Sequence, residues 1–175
     1  AAVRWRKGSG LTVSSSAYQK ALKLLGRRDH FRRELYEKLS VRGFEPDEIS
    51  DAIDRCAELG LVDDLRVGAR FVEVRAVERG WGPRRLAAEL RHRGVDAGDA
   101  EVLSALPEDV VARSLATALR KTEVRSPSNW WRDSQRRARM VSSLITRGFE
   151  TDDAIAAVSG LAASRETQDH ALDDQ

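Results

Sequence analysis

The sequence predicts an all-α protein built from three tandem three-helix, helix-turn-helix-like repeats, and three observations lead there. The chain of 175 residues is 33% charged, 41% hydrophobic and only 6% aromatic, with 4 Pro, a balance that favours helices over a sandwich or barrel. No window of β-branched and aromatic residues alternates cleanly enough for a strand. Third, one signature occurs three times: leucine, two residues, Arg-Gly and an apolar residue, at Leu39 to Phe44, Leu90 to Val95 and Leu144 to Phe149. A helical unit that recurs at about fifty residues reads as an array rather than one globule.

Each element follows from spacing and punctuation. A first helix is predicted from Ser16, with Ala17, Ala21, Leu24 and Leu25 on one face and Gly26 at its end. A second runs from about Asp29 on Phe31, Leu35 and Leu39 to Gly43. Glu45-Pro46-Asp47-Glu48 opens a third, since Pro and acids suit a first turn. Its buried stripe is Ile49, Ala52, Ile53, Cys56 and Leu59, and Gly60 closes it. Asp63-Asp64 is read as the cap of the next helix, with Leu65, Ala69, Val72 and Ala76 on one face and Phe71 and Val74 beside it. Gly80-Trp81-Gly82-Pro83 breaks that helix. Leu86 and Leu90 follow, then a short helix through Val102, Leu103 and Leu106, stopped by Pro107. The third repeat carries Val111, Leu115, Ala118 and Leu119, a polar link from Glu123 to Asn129, then Trp130-Trp131 before the stripe Met140, Val141, Leu144 and Ile145. A last helix is expected on Ile155, Val158 and Leu161. The expected division is a flexible leader 1–15, repeats at 16–62, 63–107 and 108–164, and a disordered acidic tail 165–175.

Other features bound the function. The lone Cys56 excludes an internal disulfide framework and reads as a buried apolar thiol, as in a reducing cytoplasm. No run approaches the ~20 apolar residues of a membrane span, and the leader has no apolar core of a signal peptide. His30, His92 and His170 are scattered, and none pairs with Cys56 in a dyad or a metal-ligand spacing. The glycines form no phosphate loop. A binding protein without metal or cofactor is expected, not an enzyme.

Net charge is only +2, from 30 Lys+Arg against 28 Asp+Glu, but the charges segregate. The first and second helices of each repeat are basic, and the third helices are acidic, as in Asp47, Glu48, Asp51 and Asp54, Asp96 and Asp99, or Glu150, Asp152 and Asp153. One basic and one acidic side would suit a composite partner, phosphate on one and basic protein on the other. Individually, each charge also fits the ordinary dipole preference of helix ends. The expected contacts are Arg32, Arg33, Arg70, Arg75, Arg84, Arg85, Arg91, Arg93, Arg132, Arg136 and Arg139. Trp81 is read as a packing anchor, while Trp130 and Trp131 fit either anchoring or stacking on bases.

From Ala17 to Ala162 the sequence resembles the RecX family, regulators of the bacterial recombinase RecA. The resemblance is carried by Leu59-Gly60-Leu61-Val62-Asp63-Asp64 with Ala69, Arg70, Val72 and Arg75, by Gly82, Arg85-Leu86, Glu89-Leu90 and Arg93-Gly94-Val95, and by Glu34-Leu35, Lys38-Leu39 and Gly43-Phe44. It implies a curved, elongated array that binds in the groove of the RecA filament on DNA. It further implies inhibition of strand exchange, ATPase and SOS co-protease activity in DNA repair by homologous recombination. The expected partners are the RecA filament and single- and double-stranded DNA, with no membrane, and the chain is expected to be a cytoplasmic monomer. Two other readings fit the residues: a helix-turn-helix transcription regulator, which needs one base-reading helix, and a helical scaffold without nucleic-acid contact.

Overall fold

The computed structural model describes residues 16–173, and all its regular elements there are helical. They are α1 (Ser16–Leu25), α2 (Arg32–Ser40), α3 (Pro46–Glu58), α4 (Asp64–Arg79), α5 (Pro83–His92), α6 (Ala97–Ser104), α7 (Glu108–Glu123), a 3₁₀ turn (Trp130–Arg132), α8 (Ser134–Thr146) and α9 (Thr151–Asp173). They form three successive three-helix sets. The predicted leader 1–15 and the last two residues of the tail lie outside the described residues.

The signature glycines end helices as their spacing predicts. Gly43, Gly94 and Gly148 have φ of 81°, 88° and 91°, the left-handed region that a Cβ disfavours. After Gly94 and Gly148 the next N–H reaches back to the signature leucine: Val95 to the Leu90 carbonyl at 3.1 Å and Phe149 to that of Leu144 at 3.3 Å. Val95 and Phe149 are buried as a result.

The chain divides into two compact units, one ending at Asp64 and the other beginning at Leu65. The first holds one core of Ala21, Leu24, Leu35, Leu39, Ile49, Ile53, Cys56 and Val62. Leu59, predicted in that core, is 59% exposed. It sits at the α3 C-cap, where Gly60 (φ 67°) turns the chain and the Leu61 N–H bonds the Cys56 carbonyl, so that Val62 is the residue packed inward. Carboxylates from elsewhere in the unit meet two helix starts. Glu48 Oε1 accepts from Ala17 N–H of α1 at 3.2 Å, and Asp64 Oδ1 accepts from Arg32 N–H of α2 at 2.7 Å. Asp64 therefore also serves a helix far behind it in sequence, besides standing at the start of α4.

In the second unit the break at Gly80-Trp81-Gly82-Pro83 is a junction. Gly82 N–H donates to the Arg147 carbonyl at 2.8 Å, and Arg84 N–H to that of Gly148 at 3.2 Å. The open amides at the start of α5 thus take the open carbonyls at the end of α8. A Cβ on Gly82 would lie 2.4 Å from the Gly148 oxygen, and one on Gly148 would lie 2.3 Å from Arg85 N. Beside this contact the buried Ser114 hydroxyl donates to the Trp81 carbonyl at 3.0 Å. The α4–α6 helices bury Val72, Ala76, Leu86, Ala87, Leu90 and Ala100. α6 stops at Ser104, short of the predicted Leu106, and leaves Val102 exposed. A core of Ala118, Trp130, Met140, Leu144, Phe149, Ala154 and Val158 joins α7, α8 and α9.

The tail predicted to be disordered from residue 165 is helical to Asp173. Its apolar stripe does end near Ala162, but Arg165 Nε reaches Glu123 of α7 at 2.7 Å, and Asp169 pairs with Arg132. Ion pairs hold the extension where no apolar face does.

Candidate nucleic-acid interface

The eleven arginines singled out by the sequence sort into three groups. Six are answered by acids of their own chain: Arg32 by Asp54 at 2.5 Å, Arg33 by Glu37 at 3.0 Å, Arg84 by Glu150 at 2.5 Å, Arg136 by Asp133 at 3.1 Å, Arg93 by Glu89 and Arg132 by Asp169. Two more lie against aromatics, as does the acid-paired Arg93, 4.5 Å from the Phe71 ring centroid. The Arg85 guanidinium is 4.1 Å from the Trp81 ring centroid, and Arg75 is 5.4 Å from both Trp81 and Phe71. Arg70, Arg91 and Arg139 are exposed and pair with no carboxylate among the described residues. The pairs of Arg32, Arg84 and Arg132 join basic helices or the 3₁₀ turn to an acidic third helix or, at Glu150, to the residue just before one, so part of the segregated charge is neutralised within the fold. Exposed pairs of this kind are worth ~0–1 kcal/mol each, so a strong anion can exchange with them.

The tryptophans divide too. Trp81 is half-buried, with Phe71 edge-on at 6.2 Å and Arg85 over its ring, an anchor that holds cations. Trp130 is buried in the core, its Nε1 donating to Glu123 at 3.4 Å, and Trp131 meets it at 90°.

Among the described residues, six cations gather around a cavity of ≈ 840 Å³ lined by Arg75, Arg79, Arg120, Lys121, Arg125 and Arg147, with Trp81 and Val124. No carboxylate lines it. The last turn of α4 explains how like charges gather there. Lys121 Nζ donates to the Glu78 carbonyl, and Arg147 Nη1 donates to that of Arg79 at 3.0 Å. These are the electronegative end of a helix, which favours cations. The compensation is partial. Burial, then repulsion from Arg147, Arg79, Arg120 and Arg125, pushes the Lys121 ammonium below its ordinary range. Burial, with Arg125 and Arg85, does the same to Arg147.

A second cavity of ≈ 440 Å³ shares Arg125 and Arg147 and adds Arg136 and Arg139, with the hydroxyls of Thr122, Ser126 and Ser143. The structure thus brings Arg75, Arg136 and Arg139 onto one basic run. Arg84 and Arg91 line a different cavity, and Arg32 and Arg33 belong to the first unit. Arg79, Arg120, Lys121, Arg125 and Arg147 are not among the contacts expected from sequence; they come from three distant stretches of the chain and meet only where α4, α7 and α8 end.

Cys56 is buried, and burial raises its thiol above the ordinary range. Among the described residues no three His, Cys, Asp or Glu gather as metal ligands, and no helix is long and apolar enough to cross a membrane.

Comparison with known proteins places this basic, all-helical chain. The family description "RecX, first three-helix domain" fits residues 17–56, and "RecX, second three-helix domain" fits 63–102. The regulatory protein RecX of Halorhodospira halophila is 40% identical over 147 residues, 84% of this chain and 89% of that protein. The chain belongs to the RecX family. The RecX of Xanthomonas citri is 36% identical over 140 residues, 79% of this chain and 83% of that protein. The crystal structure of RecX from Lactobacillus salivarius superposes with a TM-score of 0.70 at 25% identity, covering 84% of this chain and 95% of that one. The tandem three-helix organisation and a regulatory role accompany that membership.

Proposed function

We propose that this chain regulates the RecA recombinase by lying along its filament on DNA, and that it restrains strand exchange, ATP hydrolysis and SOS co-protease activity without chemistry of its own. It acts as a cytoplasmic monomer, with basic residues toward phosphate and acidic third helices toward protein. Family membership supports a regulatory role. The observation that carries the DNA side is the basic run of α4, α7 and α8, eight cations around two cavities whose lining holds no carboxylate, with only Arg136 in an ion pair among them. An extended run of that kind suits the closely spaced charges of a nucleic-acid backbone. Among the contacts expected from sequence, Arg75, Arg136 and Arg139 stand on this run, and Arg70 and Arg91 are exposed beyond it.

The test is RecA ATP hydrolysis and strand exchange with increasing amounts of the purified chain. A fall in both at substoichiometric amounts is expected, and unchanged rates at equimolar protein reject the proposal. A DNA affinity that drops steeply with salt separates it from a scaffold, which has no such slope.

A further inference from the structure

We infer that the cavity among α4, α7 and the end of α8 is a preformed seat for consecutive phosphates of a nucleic-acid strand, with Arg79, Arg120, Lys121, Arg125 and Arg147 as its ligands. The inference rests on the filament reading and sharpens it, since none of these five is among the contacts expected from sequence.

Two features point to phosphate and to a polymer. Folding holds the cluster together against repulsion: Lys121 and Arg147 are tied to the carbonyls of Glu78 and Arg79, yet no acid of the cavity lining neutralises the charge that remains. Such a site gains from any anion that enters, and guanidinium forks match phosphate oxygens in pairs. The cations also exceed the charge of one phosphate group and continue through Arg125 and Arg147 to Arg136 and Arg139. A chain of phosphates fills such a run, whereas a single free anion leaves most of it unanswered. Arg85 already covers Trp81, so no base needs to stack there. The seat therefore reads the backbone and not the sequence.

The experiment titrates a fluorescent oligo-dT and a mixed-sequence strand with the full chain over a range of salt. It compares the natural sequence, R120Q/R125Q and the control R113Q. Arg113 lies on the same helix and pairs with Asp109 away from the cavity. The double variant is expected to bind both strands at least tenfold more weakly and to lose about 1.4 from the magnitude of the log K against log salt slope, at ~0.7 per single-strand phosphate contact. The control should keep the natural values. R125Q alone, in the turn after α7, gives the same reading at half the slope change where the double variant melts early. Unchanged affinity and slope in the double variant overturn the seat, and so does an equal loss in R113Q. Polyglutamate that competes as well as oligo-dT at equal charge overturns the phosphate assignment. If the natural chain binds no DNA, the filament reading falls with the seat; if it binds and the double variant binds equally, the seat falls alone.

Discussion

The two compact units use their acids differently. In the first, Glu34 takes Arg28, Lys38 and the buried His30, Glu37 takes Arg33, Asp54 takes Arg32, and Glu48 and Asp64 meet the starts of α1 and α2. In the second, acids likewise answer Arg84, Arg93 and Arg132, but none lines the cavity of α4, α7 and α8. A net charge of +2 therefore conceals one largely self-neutralised region and one strongly basic run. What matters for a polyanion is where the acids are missing.

The signature glycines give the sharpest way to break this contrast. Gly43→Ala and Gly148→Ala meet the same left-handed backbone, which costs ~1–2 kcal/mol. A Cβ on Gly43 finds nothing within 4 Å, whereas one on Gly148 meets Arg85 N and Cα. Adding ~1–3 kcal/mol of overpacking, Gly148→Ala is expected to lose roughly 2–5 kcal/mol in urea unfolding and Gly43→Ala only the lower amount. Equal losses would show that the α5–α8 junction yields without cost. Next comes Asp64→Ala, which removes the acceptor at the start of α2 and should cost ~0.5–2 kcal/mol, as lost caps do, with reduced amide protection at Arg32 in hydrogen exchange. The smallest effect is in acid. The Arg165 hydrogen bond, opposed by burial, holds Glu123 below its ordinary 4.5. At Glu34, burial is outweighed by Arg28 and His30, with the same direction. A depressed carboxyl stabilises above its unfolded pKa, and this is lost as pH falls through the folded value. Glu123→Gln and Glu34→Gln should each flatten the fall of Tm below pH 4.5, by ~1 kcal/mol or less.

Local rules were the legible part. The glycine caps, the α3 entry at Pro46 and the stripes of the first unit, Leu59 apart, follow from spacing alone and stand where the sequence puts them. What depends on distant partners was hidden. Nothing near Gly82 announces the Gly148 carbonyl, nothing in residues 165–173 announces Glu123 or Arg132, and Leu59 has helical spacing yet falls on the cap. The cation cavity was hidden for another reason. Arg79, Lys121 and Arg147 come from three helix ends, and each looks ordinary until the ends meet.

The backbone contact between Gly82 and Gly148 also bears on modularity. Tandem helical repeats can ordinarily be trimmed or extended one at a time, because each leans only on its neighbours through side chains. Here the start of α5 borrows carbonyls from the end of α8, so a fragment cut before α7 would strand the amides of Gly82 and Arg84. The two repeats of the second unit are therefore tied by a backbone exchange, and neither can be removed without leaving the other's helix end open.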